Sequence, residues 1–372
     1  MLEQGRISAA QLAILTGMAV TATSLLTAPG LVAIDAKQDM WLSPIWISPI
    51  GLLIVWILWK LNQAYPNQTL IEYSVTVLGR FVGSIVGASY LMFVIFATAN
   101  ALRQFTDFVK ETFLLSTPSV VISSCMLLVC WLVARSGIEI VARLSATLLP
   151  LVGVFILMIY MPSLWDMHLE RMMPIMDHGL QPSAMGAFRL LSWIPTFSIM
   201  NFYMPYVSNR KNLLLWSLGN VILFTLTMCI TFVIVYTIIG ATTINYLYPF
   251  MVLARFTSFT EFFEHLESLV MMIWVIQIVI HISFGLYGSS LGVAQLFGLT
   301  AYKPIVLPIC SLILLFSFWG IDNALFVSSP SIIVYYSIFG LILPLLLFVA
   351  HSMKRLFIDS DKAASPPSES AV

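Results

Sequence analysis

Long apolar runs alternate with short polar joints along this chain. A helix needs about 20 mainly apolar residues to cross a bilayer. Ten runs meet that length, at about 8–33, 43–63, 81–102, 118–135, 143–163, 185–206, 212–240, 268–292, 304–320 and 331–353. The pattern predicts an all-α integral membrane protein with ten transmembrane helices in a single domain, 1–357. The remainder, 358–372, is polar and rich in Pro and Ser, a composition that does not form a core, and is expected to be a disordered cytoplasmic tail. The longest joint, 241–267, has a pattern of its own. Phe256, Phe259, Phe263, Leu266 and Leu269 recur at helical spacing opposite Glu261, Glu264 and Glu267, which predicts an outer amphipathic helix at about 250–267.

Composition agrees with the pattern: 60% of residues are hydrophobic and 9% charged, against about 25% charged in soluble domains. Lys plus Arg and Asp plus Glu both number 17, and zero net charge argues against a nucleic-acid partner. The segment "MLEQGRISAAQ" enters the first run with no short apolar core or small-residue cleavage site, so no cleaved signal peptide is expected. Cys125, Cys130, Cys229 and Cys310 all sit in apolar runs without metal-site spacing and read as packing residues. With the N-terminus inside, the inner side takes eleven of the seventeen basic residues, so both termini are expected to be cytoplasmic.

The runs are not uniformly apolar. "TATSLLTAPG" (21–30) puts hydroxyls and then Pro29 and Gly30 in the first span, and "LLSWIPTFSIMNFYMP" (190–205) puts Pro195, Thr196, Ser198 and Asn201 in the sixth. Irregular backbone is tolerated at membrane depth only where it is buried or lines a cavity. The first site alone fits a kinked packing helix equally well. Two interruptions five spans apart match an architecture of two five-helix inverted repeats, here at about 8–163 and 185–353. In that design broken helices 1 and 6 share a midplane site, and half-helix ends meet the charged groups of a substrate. The eighth span carries Gln277 and His281 on one face, with Ser283 off it. An intramembrane histidine is either functional or hydrogen-bonded to a neighbouring helix. In the third span Ala97, Thr98 and Asn100 beside Phe93 and Phe96 form either a substrate wall or a packing seam. No phosphate loop, nucleophile elbow or metal-spaced cluster appears, so neither an enzyme nor a cofactor is expected. All acids map to loops, span ends or tails, which favours a binding subunit or facilitator over an ion-driven pump.

Several stretches resemble those of the B subunits of Ger-type spore germinant receptors, the spore permease branch of the amino acid–polyamine–organocation transporters. They are "ISAAQLAIL…LLTAPG", "DMWLS" (39–43), "FVKETFLLSTP" (108–118), "EIVARLSATLLP" (139–150) and "FTEFFEHLESLVMMIWVIQ" (259–277). In the last, His265 stands where an Arg is usual. The resemblance implies the LeuT-like 5+5 inverted-repeat fold with broken helices 1 and 6, a pocket for a small nutrient, typically an amino acid, and assembly with A and C subunits in the spore inner membrane. An amino acid permease working by alternating access is the alternative. Carried over position by position, the ligand-binding residues are Ala22, Thr23, Ser24 and Leu25, Phe93 and Ala97, Thr196 and Phe197, and His281 with Gly285. Where related chains have Gly-Ala-Gly in the first break, this one has Ala22-Thr23-Ser24, whose Cβ atoms narrow the approach of backbone to a carboxylate.

Overall fold

A computed structural model describes residues 3–256, 266–319 and 329–364, with side chains described as far as Leu356. The helices are α1 (Ala9–Ala36), α2 (Ser43–Ala64), α3 (Leu70–Leu78), α4 (Arg80–Thr112), α5 (Ser119–Arg135), α6 (Ile138–Ser163) and α7 (Gln181–Leu190). Then come α8 (Leu213–Ile239), α9 (Pro249–Phe256), α10 (Glu267–Leu296), α11 (Val306–Phe318), α12 (Pro330–Ser337) and α13 (Leu343–Ala364). Among the described residues six stretches are long and apolar enough to cross a membrane, and the first of them, Ala9–Ala64, contains both α1 and α2. The shorter apolar helices α5 and α11, together with the interrupted sixth span that begins with α7, complete ten crossings.

Helix α1 is apolar on every side, the pattern of a helix buried all round, and it packs against α10, α8, α7 and α6 at the centre of the molecule. It carries no break. Its hydroxyls bond back to carbonyls one turn earlier: Thr16 to Leu12, Thr21 to Gly17, Ser24 to Val20 and Thr27 to Thr23, at 2.8–2.9 Å. Pro29 sits inside a helix that continues to Ala36. Gly30 is there for space, because a Cβ at this position would lie 2.4 Å from the Tyr246 carbonyl oxygen. The expected interruption of the first span is therefore a helix-packing feature.

The sixth span is interrupted. After α7 the chain turns through Leu191–Trp193 and runs as a tight 3₁₀ helix from Ile194 to Phe202, wholly buried. Runs of that helix beyond three or four residues are uncommon and mark hinges or strain. Pro195, which has no N–H and restricts the residue before it, sits at the start. The tenth span also departs from α-geometry, with one wide π turn at Ile338–Ile342 between α12 and α13. The two irregular stretches touch. A Cβ on Gly340 would lie 2.2 Å from Pro195 Cβ and 2.7 Å from its carbonyl oxygen.

Other boundaries differ from the sequence expectation. Helix α4 runs ten residues past the expected end at 102, so Asp107 lies inside it, buried and ion-paired with Arg103 at 2.9 Å. A carboxylate therefore does sit within a membrane-crossing helix, near its end. The amphipathic helix expected at about 250–267 is described only as α9 and the start of α10; Phe259, Glu261, Phe263 and Glu264 lie outside the described residues. Helix α13 continues to Ala364, so the first residues of the expected disordered tail are helical. Helix α3 was not expected. A reciprocal cap starts it, with the Thr69 amide donating to Glu72 at 2.9 Å. Gly79, at φ +83°, ends it in the left-handed region that glycine enters freely.

The N-terminal segment ties one end of the bundle together. Ile7 pairs with Val207, its amide donating to the Tyr206 carbonyl at 3.1 Å. Glu3 accepts from the Tyr287 and Tyr302 hydroxyls, each at 3.2 Å. Burial, and secondarily the Glu3 carboxylate, pushes the Tyr302 phenol up from its ordinary value.

Candidate functional site

The ten residues expected to bind ligand lie on α1, α4, the sixth span and α10, with α10 packed against each of the other three, and all of them are buried. Thr23 Oγ accepts from the Trp193 indole at 3.1 Å, joining the middle of α1 to the turn that opens the sixth-span interruption. One residue on, Ser24 uses its hydroxyl on its own helix. His281 hydrogen-bonds through Nδ1 to the Ala19 carbonyl. One turn away on the same face, Gln277 donates to Thr21 Oγ at 3.2 Å. Gly285 lets α10 close on α4, since a Cβ there would lie 2.0 Å from Thr98 Oγ.

The Phe93 ring belongs to an aromatic cluster with Tyr90, Tyr336 and Phe339, at centroid distances of 5.6, 5.5 and 6.0 Å. Ala97 lies one turn further along α4 and is 6% exposed. On the interruption itself, the Thr196 amide donates to the Trp193 carbonyl at 3.0 Å. Phe197 meets Phe224 of α8 edge to face at 5.9 Å. These residues form two adjoining groups. Ala22–Leu25, His281 and the Trp193 turn lie around α1, while Phe93, Ala97, Gly285 and Thr98 lie along α4.

A buried polar chain holds the interruption in place, and sequence pattern gave only half of it. Tyr90 donates to Ser198 Oγ and accepts from Asn201 Nδ2, both at 2.9 Å, and Asn201 Oδ1 accepts the Leu70 amide at 3.2 Å. Ser198 and Asn201 stood out in the sequence as polar residues at mid-span. Tyr90 did not, because a tyrosine in an apolar run carries no periodic signal. The Leu70 amide is a helix N-terminal donor that only the unexpected α3 provides. Asn100, which donates to the Tyr336 hydroxyl at 3.1 Å, extends this chemistry to the tenth span.

The open space lies beside this centre. A cavity of about 480 Å³ sits between α1, α6 and α8, lined by Gly17, Thr21, Leu25, Asn220, Phe224 and Gln277 among others. Its outer wall includes Leu215 and Leu223, which face outward at 72% and 60% exposure. That volume is in the range of small-molecule sites, about 300–1,000 Å³. Of the ten expected residues only Leu25 borders it. Ala22 and Leu25 border a second space of about 10 Å³, at the lower limit of what holds one water. The ten expected residues are buried, and among the described cavities these two border only Ala22 and Leu25 of them. Wall residues Thr21, Asn220 and Gln277 were either not singled out or read only for their own span.

The comparisons with known proteins agree with this architecture. The model of the family described as "Spore germination protein" (spore permease) matches residues 6–324. Spore germination protein KB of Bacillus subtilis is 25% identical over 217 residues, 57% of each chain, so the match spans little more than half of that relative. Protein YndE of the same organism is 25% identical over 308 residues, 78% of this chain and 81% of its own. GerQB of Bacillus cereus is 23% identical over 302 residues, 79% of this chain and 81% of its own. Among solved structures, MhsT in complex with L-phenylalanine superimposes with a TM-score of 0.63 over 94% of this chain and 99% of its own, at 13% identity. A Na⁺-coupled sialic acid symporter gives 0.66 over 91% and 79%, also at 13% identity. The fold is therefore the LeuT-like ten-helix transporter architecture. By a family match covering most of its length, on the fold described above, this chain belongs to the spore germination protein family.

Proposed function

We propose that this protein is the nutrient-binding B-type subunit of a germinant receptor. In this reading it holds a small molecule of the amino acid class where α1, α4, the sixth span and α10 converge. Thr23, Ser24, Thr196 and His281 supply polar contacts; Ala22, Leu25, Phe93, Ala97, Phe197 and Gly285 shape the walls. The observation that carries the reading is the buried nine-residue 3₁₀ stretch Ile194–Phe202, irregular backbone at membrane depth, which a membrane protein keeps only where it is buried or lines a cavity. Here it is locked to α1 through Trp193 and to α4 through Tyr90. In this reading the buried arrangement of these residues is a closed state. A nutrient acts on such a site by its differential affinity for open and closed forms. The protein catalyses no reaction in this reading. It lies in the spore inner membrane with both termini cytoplasmic and passes the change to A and C subunits, which make up the receptor with it.

Transport is the second reading, favoured by the transporter fold of the structural neighbours, and it uses the same residues. The experiment is germination of spores lacking this chain, screened against single amino acids and sugars, with complementation by the native chain and by Thr196→Phe. Loss of response to one nutrient, restored by the native chain and not by a normally assembled Thr196→Phe, is expected. Normal germination of the deletion strain with every nutrient, together with lost uptake of one amino acid, would replace the sensor with the permease.

A further inference from the structure

A second cavity, of about 710 Å³, opens between the last turns of α2 and the middle of α13. It lies at the end of the molecule that carries the N-terminal segment. Asn67, just past α2, accepts from Arg210 at 3.2 Å, and Arg210 shares the Pro205 carbonyl with Arg6. The cavity's walls include Lys60, Gln63, His351, Ser352 and Arg355, and no carboxylate is among its described lining residues. Lys354, on the next position of α13, reaches the Thr76 carbonyl at 3.0 Å and adds to the positive field.

The chemistry of this space is two-part. Ala64, Phe348 and Leu356 form its apolar side, and behind it Trp56 meets Phe348 edge to face at 5.5 Å, joining the two helices. Lys60 Nζ stands 5.0 Å from the Trp59 ring and 5.9 Å from the Trp56 ring. Trp beside Lys at a helix end is the arrangement found at the membrane–water boundary, where the lysine stem lies on apolar surface and the ammonium reaches the headgroups. His351 is held in place by the Tyr65 hydroxyl at 2.9 Å. Lys and Arg offer only hydrogen-bond donors, and a phosphodiester offers acceptors and a negative charge to match. The apolar floor suits the glycerol esters and first methylenes that follow such a group.

We propose that this cavity binds the headgroup of an anionic phospholipid, which clamps α2 to α13. The lipid braces the tenth span, whose π turn abuts the sixth-span interruption through Gly340. Basic pockets between helices on the positively charged side of a membrane protein recognise anionic headgroups in this way.

The test uses the purified full chain and native mass spectrometry, with phosphatidylglycerol, phosphatidylcholine and inorganic phosphate as probes. A cation beside an anionic headgroup changes affinity about fivefold, so Lys60→Gln is expected to weaken phosphatidylglycerol retention about fivefold. A control pair on the same face and outside the cavity, Lys211→Gln with Lys303→Gln, removes twice that charge and is expected to weaken retention less than Lys60→Gln does. Equal loss in the control pair, or equal retention of phosphatidylcholine, would overturn the site in favour of diffuse surface attraction or an ordinary lipid annulus. Displacement of phosphatidylglycerol by millimolar phosphate would overturn the lipid in favour of a free anion. Lys60→Arg, which keeps the charge, should retain phosphatidylglycerol nearly as the native chain does, and unchanged retention in Lys60→Gln overturns the proposal.

Discussion

Gly340 shows how one missing side chain can set the relation between two spans. It lies in the π turn of the tenth span with Pro195 of the sixth directly against it, both backbone and ring. A methyl group there has no flexible neighbour to push aside, since the nearest atoms are Pro195 Cβ, O and Cα. Overpacking a tight contact costs about 1–3 kcal/mol. Gly340→Ala is therefore expected to lower the melting temperature of the purified protein clearly. Gly219→Ala on α8, where a Cβ would meet nothing within 4 Å, should leave it unchanged or raise it by the helix propensity gained. Equal melting temperatures for the two variants would mean that the Pro195–Gly340 contact is loose. The sequence revealed Pro195 and its polar neighbours because proline and hydroxyls are conspicuous in an apolar run. It did not reveal Gly340, since glycine is common in membrane helices and its partner lies far away in the chain. "TATSLLTAPG" was conspicuous for the same reason as Pro195 and led to the wrong local structure. Thr and Ser hydroxyls can satisfy their own helix, and only the neighbouring Tyr246 backbone explains Gly30.

At the scale of elements, apolar run length was enough to place most crossings, because the hydrocarbon thickness fixes how many residues a span needs. It could not find α3, nine residues long, whose existence depends on the Thr69–Glu72 cap and on the Asn201 side chain accepting the Leu70 amide. That cap has a pH signature. Burial raises the Glu72 carboxyl above its ordinary 4.5, and the hydrogen bond from the Thr69 amide pulls it back only in part. An acid whose folded pKa is raised favours the folded state fully below its ordinary value and loses that contribution as pH rises through the raised one. Glu72→Gln keeps a residue able to complete the cap and removes the ionisation. Its stability should fall less than that of the native protein as pH is raised from 4.5 toward neutrality, so that the variant is at least as stable at pH 7. Melting curves of both proteins across that range check this. Parallel curves would show that Glu72 is well solvated, and a less stable variant at pH 7 would show that the charged cap outweighs the burial.

For the whole molecule, the question is where space is open and to which solvent. The ten expected ligand-binding residues are buried, while the cavity of about 480 Å³ lies between α1, α6 and α8 beside outward-facing leucines. Sequence could place residues at mid-span but not say which side of α1 the space is on, because that depends on how three distant helices pack. The arrangement makes a prediction about reagents. In a background with Cys125, Cys130, Cys229 and Cys310 replaced, a cysteine at Gly153 on the cavity wall, where a Cβ meets nothing within 4 Å, should react with neither an uncharged maleimide nor a charged, impermeant thiol reagent, because in hydrocarbon the thiol stays un-ionised and only the thiolate attacks. Reaction with either would mean that this cavity opens to water. A cysteine at Ala97 should react with neither in the closed state, and should become reactive toward the charged reagent only when the centre opens to water. Reaction of Ala97→Cys with the charged reagent before any nutrient is added would mean that the resting protein is open at its core. The nutrient would then act by closing the site, and the packed arrangement described here would be the bound form.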